Sequence, residues 1–381
     1  MERTLFDDEH EQFRDSFSRW LAKEIVPNHE KWNADGIVPR EVFASAGAQG
    51  YIGMDIPTEY GGGGVADFRY HQIIDEEIQA AGVGASGLGL TLHNDICVPY
   101  FLSYCTDEQK QRWLPGIASG ELITAIGMTE PSIGSDLASM ATTALRDGDE
   151  FVVNGQKTFI TNGQTADLII VVARTGGPGA KGLSLIVVET ERNDGFRRGR
   201  NLDKIGLHAS DTSELFFEDA VAPPENLLGG EEGRGFAQLM QHLPQERLII
   251  AICAVAAMER AIKLTVDYTK ERKAFGQPII DFQNTAFKLA ERKTEAMIAR
   301  VFVDWCVGRL VAGDLDAVTA SMAKWWCTQK QVETVDECLQ LHGGYGYMQE
   351  YPISRMFVDA RVQKIYGGAN EVMKLLIARS L

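Results

Sequence analysis

The chain has 381 residues, 45% of them hydrophobic and 24% charged, with a formal net charge of −16. That length exceeds one ordinary core, so two or three domains around a large buried interior are expected. The acidic balance argues against nucleic acid as the main partner, because phosphate backbones are held by clustered Lys and Arg.

The start, from Leu5 to Phe13, is amphipathic-helix text with no signal-peptide pattern and too much acid for a transit peptide. The longest apolar run, Leu248 to Met258, is well short of the roughly 18 residues of a membrane span. Six cysteines (Cys97, Cys105, Cys253, Cys306, Cys327, Cys338) form no Cys-x-x-Cys pair and read as reduced, buried thiols. A cytoplasmic protein without membrane insertion is expected, or a mitochondrial matrix one if a eukaryotic chain has been processed.

Residues 1–120 alternate helical patterns with glycine-rich breaks such as Tyr60–Gly64 and predict an α-helical domain. Within them, Gly82-Val83-Gly84-Ala85-Ser86-Gly87 fits a dinucleotide-binding pattern, but Ile73–Ile78 before it has helical spacing where a strand is required. A helix–helix turn is the better reading.

Residues 121–230 change period. Phe151–Ile160 reads as two β-rich runs around Asn154-Gly155, a strong hairpin signal. Leu168–Val172, Leu183–Val188 and Glu214–Phe217 read as further strands, which predicts a β-barrel or sandwich. Residues 231–381 return to helix, in proline-free pieces from about Glu246 to Arg272, Asp281 to Ala312 and Asp316 to Leu341. A shorter piece runs from Asn370 to Arg379. Together they predict a four-helix bundle, and the chain as a whole is mainly α with a middle β domain.

Four segments carry chemistry. Gly127–Asp136 is a small-residue loop leaving a strand, able to offer backbone N–H groups to a pyrophosphate or a ring edge. Gln340–Tyr347, followed by Glu350, Arg355 and Asp359, reads as a helix end opening into a glycine-rich loop. Leu243-Pro244-Gln245-Glu246-Arg247 puts a carboxylate at the head of a long apolar helix, where the dipole alone would favour it. Ile365–Glu371 is a Gly-Gly tail in which Asn370 reads as a helix N-cap and explains the glutamate after it.

Taken together these segments resemble the acyl-CoA dehydrogenase family over nearly the whole chain. The resemblance implies FAD and α,β-dehydrogenation of a fatty acyl-CoA thioester to the enoyl-CoA, with electrons passed to electron-transfer flavoprotein. By the match, Ile126, Met128, Thr129 and Thr161 would edge the flavin ring, with Phe159 against it beside Ile160. Gly134 and Ser135 would face phosphates or pantetheine. Arg272, Phe275 and Gln283, with Gln340, Gly343 and Gly344, resemble the segments that reach a neighbouring subunit's FAD, which implies a homotetramer. Ala369, Asn370 and Glu371 would complete the flavin site, while Pro244, Gln245, Arg247 and Gly368 would line the substrate.

Most members of the family carry the base at the position of Gly367. The long-chain and isovaleryl types carry it at the position of Glu246. The resemblance therefore assigns α-proton abstraction to Glu246 and leaves Gly367 a backbone donor to the thioester carbonyl. Arg247 is either a salt-bridge partner of Glu246 or a structural arginine. Ile133 and Ala369 depart from the family pattern. An oxygen-using flavoenzyme on the same fold, an acyl-CoA oxidase or flavin monooxygenase, is the alternative; a flavin scaffold that binds nucleic acid fits the charge poorly.

Overall fold

The computed structural model describes residues 3–191 and 193–381. Seven helices come first: α1 (Asp8–Trp20), α2 (His29–Asp35), α3 (Glu41–Ala48), α4 (Phe68–Ala81), α5 (Gly84–Thr91), α6 (Val98–Tyr104) and α7 (Asp107–Ser119). Asp7 caps α1 in a reciprocal box with His10, and Thr106 does the same for α7 with Gln109, which satisfies the first free N–H groups. The apolar faces meet in a core of Phe17, Trp20, Trp32, Phe43 and Ile74. Gly82 closes α4 and Gly84 opens α5, so the dinucleotide-like glycines are a helix–helix turn.

Seven strands then form one sheet: β1 (Thr124–Gly127), β2 (Thr143–Asp147), β3 (Glu150–Thr161), β4 (Leu168–Arg174), β5 (Leu183–Glu189), β6 (Phe196–Asn201) and β7 (Thr212–Ala222). Their order is β1-β4-β2-β3-β7-β6, with β5 on the other side of β4. Strand alternation buries both faces of β4. Leu168, Ile170 and Val172 join α6, α7 and Tyr100 on one side, while Ile169, Val171 and Ala173 join Phe151, Leu215 and Phe217 on the other.

The hairpin expected at Asn154-Gly155 is not there. β3 runs through these residues, and the turn is Gly148-Asp149, with Asp147 paired to Glu150. Asn154-Gly155 is instead a register shift against β7. The Gly155 Cα lies so close to Thr142 that a Cβ would collide with that residue's backbone, so glycine serves a close approach here.

The last part contains α8 (Gly235–Glu271), a two-stranded turn β8 (Lys273–Ala274) and β9 (Gln277–Pro278), then α9 (Gln283–Val311), α10 (Ala317–His342), α11 (Pro352–Ala360) and α12 (Asn370–Ala378). Helices α8, α9 and α10 pack pairwise and α12 lies on α10. Helix α8 starts eleven residues before the expected Glu246 and holds Pro244 in its interior. In sequence the helix is expected to begin at about Glu246, after the proline, yet the apolar contacts of Leu239 continue it on the proline's N-terminal side. No helix among the described residues is long and apolar enough to cross a membrane.

Candidate active site

Glu246 therefore sits mid-helix, far from any helix-end dipole. Its residue is 5% exposed, and the only hydrogen bond to its carboxylate among the described residues comes from the Tyr100 hydroxyl on α6, at 2.8 Å to Oε1. Burial pushes its pKa up to about 7, against the Tyr100 bond and the Arg247 charge, which pull it down. A buried carboxyl poised near neutrality is suited to take a weakly acidic C–H proton. Next to it, Gln245 Nε2 donates to the Asp95 carbonyl at 2.9 Å.

Arg247 forms no ion pair with Glu246. It points to α10, donates to Ser321 Oγ at 3.2 Å, and its buried Nε has no partner. Burial lowers its pKa.

The tail comes to the same helix face. Gly367 has φ +61° and lies against Ile250, one helical turn after Glu246; a Cβ there would overlap Ile250 Cδ1. Fully buried Lys324 of α10 holds this tail, donating to the Gly368 carbonyl at 2.7 Å and to Asn370 Oδ1 at 3.1 Å. Desolvation and the nearby Arg247 bring Lys324 down to about 7. Asn370 is not the N-cap of α12; Ala369 is. The Asn370 side chain instead turns inward, where its amide donates to Thr328 Oγ1 at 3.0 Å. Glu371, in the first turn of α12, is exposed.

On the sheet, the Gly127–Ser135 loop is anchored by a buried ion pair. Lys157 Nζ lies 2.9 Å from Glu130 Oε1 and also donates to the Met128 carbonyl at 3.2 Å. The Glu130 carboxylate accepts the N–H groups of Ala141 and Thr142, both at 2.8 Å. A backbone bond from Thr158 N–H to the Thr129 carbonyl brings the loop to β3. Ile126 and half-buried Met128 belong to the core cluster that contains Tyr100. Ile160 is buried and Thr161 partly so, whereas Gly134 and Ser135 are exposed.

Phe159 sits where β3 loses register with β7. It has φ +60° and is 66% exposed. A bulky residue in left-handed backbone, presenting its ring outward, is strain retained at a bulge that re-aims a side chain. Phe275, in the β8–β9 turn, repeats the pattern with φ +51° and 97% exposure. It borders a cavity of about 710 Å³ whose lining also includes Arg272, Gln340, Gly343 and Gly344. Gln283 stands exposed in the first turn of α9 beside it. Two strained, outward aromatic rings and an open glycine-rich cavity are surfaces that a large planar cofactor with phosphates would cover, so these residues fit FAD.

Profiles for the three parts of one family match successive stretches: the acyl-CoA dehydrogenase N-terminal domain over residues 7–121, the middle domain over 125–220 and the C-terminal domain over 233–381. The chain belongs to the acyl-CoA dehydrogenase family. It is an FAD-dependent oxidoreductase acting on acyl-CoA. The mitochondrial long-chain specific acyl-CoA dehydrogenase of Mus musculus is 47% identical, covering 100% of this chain and 88% of that protein. A crystal structure of an acyl-CoA dehydrogenase from Geobacillus kaustophilus superposes with TM-score 0.97 at 50% identity, covering 100% and 99% of the two chains. A chain from a structure of the electron transferring flavoprotein of Acidaminococcus fermentans aligns with TM-score 0.93 at 34% identity, covering 100% and 99%.

Tyr100, Lys324 and Thr328 were absent from the sequence-based site. Tyr100 lies 146 residues from Glu246, and no local pattern connects them.

Proposed function

We propose that this acyl-CoA dehydrogenase oxidises the Cα–Cβ bond of a long-chain fatty acyl-CoA, with Glu246 as the base. The observation that carries this reading is the isolated, buried carboxyl at position 246, held near neutral pKa beside a tail whose Gly367 offers no competing side chain. Glu246 takes the α-proton as the β-hydrogen leaves as hydride. Bound FAD supplies the hydride acceptor. The Gly367 N–H, in a tail tied down by Lys324, donates to the thioester carbonyl and acidifies the α-carbon. Gly368, Pro244 and Gln245 border the substrate. Arg247, bonded to α10, supports the helix.

Ile126, Met128, Thr129, Phe159, Ile160 and Thr161 would hold the flavin ring, and Gly134 and Ser135 its phosphates or those of CoA. Arg272, Phe275, Gln283, Gln340, Gly343 and Gly344 would hold the FAD of a neighbouring subunit. The near-complete exposure of Phe275 and an outward apolar stripe on α9, Ile298, Val301 and Trp305, support a homotetramer. Boundaries near 120 and 230 divide the chain into three domains in this reading. Electron-transfer flavoprotein is the acceptor, a partner of the kind suggested by the Acidaminococcus similarity.

The test is anaerobic bleaching of the purified flavoprotein by straight-chain acyl-CoAs from butanoyl to palmitoyl, repeated with Glu246→Gln. Palmitoyl-CoA should bleach fastest, and the variant should slow by about 10²–10⁴-fold. An unchanged rate in the variant sinks the assignment of the base. Faster turnover in air than with electron-transfer flavoprotein would favour the oxygen-using alternative.

A further inference from the structure

Pro244 removes one backbone donor inside α8, two residues before Glu246, and the two side chains that follow it find partners outside the helix. Both come from one place. Residues Leu92–Cys97 form a π-helical turn that runs directly into α6, and π-bulges occur often at functional sites. From this turn the Asp95 carbonyl accepts Gln245 Nε2, and one turn further on Tyr100 donates its hydroxyl to Glu246 Oε1. Tyr100 is fully buried, and its ring is held against His242 of α8 at 4.6 Å between centroids and against Tyr104 at 6.2 Å. The hydroxyl therefore cannot swing away without disturbing these neighbouring rings.

We propose that Tyr100 is a positioning residue for the reaction: its hydroxyl hydrogen bond holds Glu246 as a carboxylate through Oε1 and leaves Oε2 to accept the α-proton. The proposal rests on Glu246 being the base. Among the described residues, the other ionisable groups around this carboxyl are Cys97 on the π-helical turn, with Asp95 two residues before it, Tyr104 on α6, Arg247 and His242 on α8, and Lys324 of α10 beside Arg247. None of these donates a hydrogen bond to it. A phenol bonded to an ion stabilises the charged form, so the Tyr100 bond lets the base ionise at a lower pH than burial alone would allow.

The experiment is the pH dependence of anaerobic flavin bleaching by palmitoyl-CoA in wild type, Tyr100→Phe and Glu246→Gln holoenzymes. Y100F removes one oxygen from a packed ring. The wild-type rate should rise with pH through a midpoint near 7. In Y100F that midpoint should move up by about one unit, giving a roughly tenfold slower reaction at pH 6 and near-equal rates at pH 9. An unmoved midpoint overturns the proposal, whether the rate is unchanged or depressed equally at every pH, since a merely structural tyrosine would act uniformly. If Y100F holds its flavin poorly, the pH dependence of its melting temperature, referred to Y100F/E246Q, reads the same titration without turnover. An unshifted curve there overturns the proposal as well. Wild-type bleaching by E246Q would instead remove the base assignment on which the proposal stands.

Discussion

Glu130 and Glu246 are both 5% exposed, and they behave in opposite ways. Desolvation works against the charge on each. At Glu130 it is overcome by Lys157 and by the N–H groups of Thr142 and Ala141, and the carboxyl is held below its usual range. At Glu246 a single phenol and a more distant Arg247 do not overcome it, and the carboxyl rises to about 7. Similar surface exposure thus accompanies an anion on the sheet and a proton acceptor on the helix. What separates them is the number of donors together with the deeper desolvation of Glu246. The saturated carboxylate anchors a loop; the undersupplied one retains capacity for chemistry.

The largest stability effect should come from breaking the saturated site. Glu130→Gln leaves Lys157 buried without its counter-charge, which should cost roughly 3–5 kcal/mol in chemical denaturation near pH 6. Lys157 is already brought down to about 8 by burial against the pull of Glu130, so it can shed its proton. The loss should therefore shrink as pH rises toward 8 and be smallest above it. A loss independent of pH would mean that Glu130 matters through its two backbone bonds alone.

At Glu246 the sign reverses. Its folded pKa, about 7, lies above the ordinary value of 4.5, so its contribution to stability is present below pH 4.5 and fades as pH rises through 7. The span corresponds to about 3 kcal/mol. Glu246→Gln, which keeps an acceptor for Tyr100 but cannot ionise, should match wild type near pH 4.5 and exceed it by up to about 3 kcal/mol at pH 8.5. Melting curves across that range decide the matter; equal stability at both ends would mean that the carboxyl is solvated in the folded protein.

These contrasts were only partly legible in the sequence. Helix and strand periods mark α9, α10 and the strands, because each buries a regular face. The family resemblance marks Glu246 and Gly367, because the position of the base divides that family's members. Periodicity failed where one residue type serves two geometries. Pro244 reads as lying before a helix that begins at about Glu246 although α8 carries it internally, and Asn154-Gly155 reads as a turn although β3 carries it as a bulge. Asn370 reads as a cap although its amide is spent on Thr328 and Lys324. The donors that decide the two pKa directions are invisible to local reading. Lys157 reaches Glu130 across 27 positions and Tyr100 reaches Glu246 across 146.

The smallest expected effect tests whether the tail belongs to the undersupplied site at all. Gly367 adopts φ +61° and touches Ile250, on the helix face one turn from Glu246. Gly367→Ala meets two separable penalties: left-handed backbone, worth about 1–2 kcal/mol, and overlap of the new methyl with Ile250 Cδ1. Ile250→Val deletes that atom at its own cost of about 0.5–1.5 kcal/mol. In a double-mutant cycle the backbone penalty should persist, while the overlap should vanish as a coupling of about 0.5–1 kcal/mol favouring the pair. The same coupling should be seen in the rate of flavin bleaching, because the methyl that presses on Ile250 also displaces the Gly367 N–H. Strict additivity in stability would mean that the tail rests on α8 loosely enough to move aside. The carboxyl at 246 would then owe its burial to α6 and the π-helical turn alone.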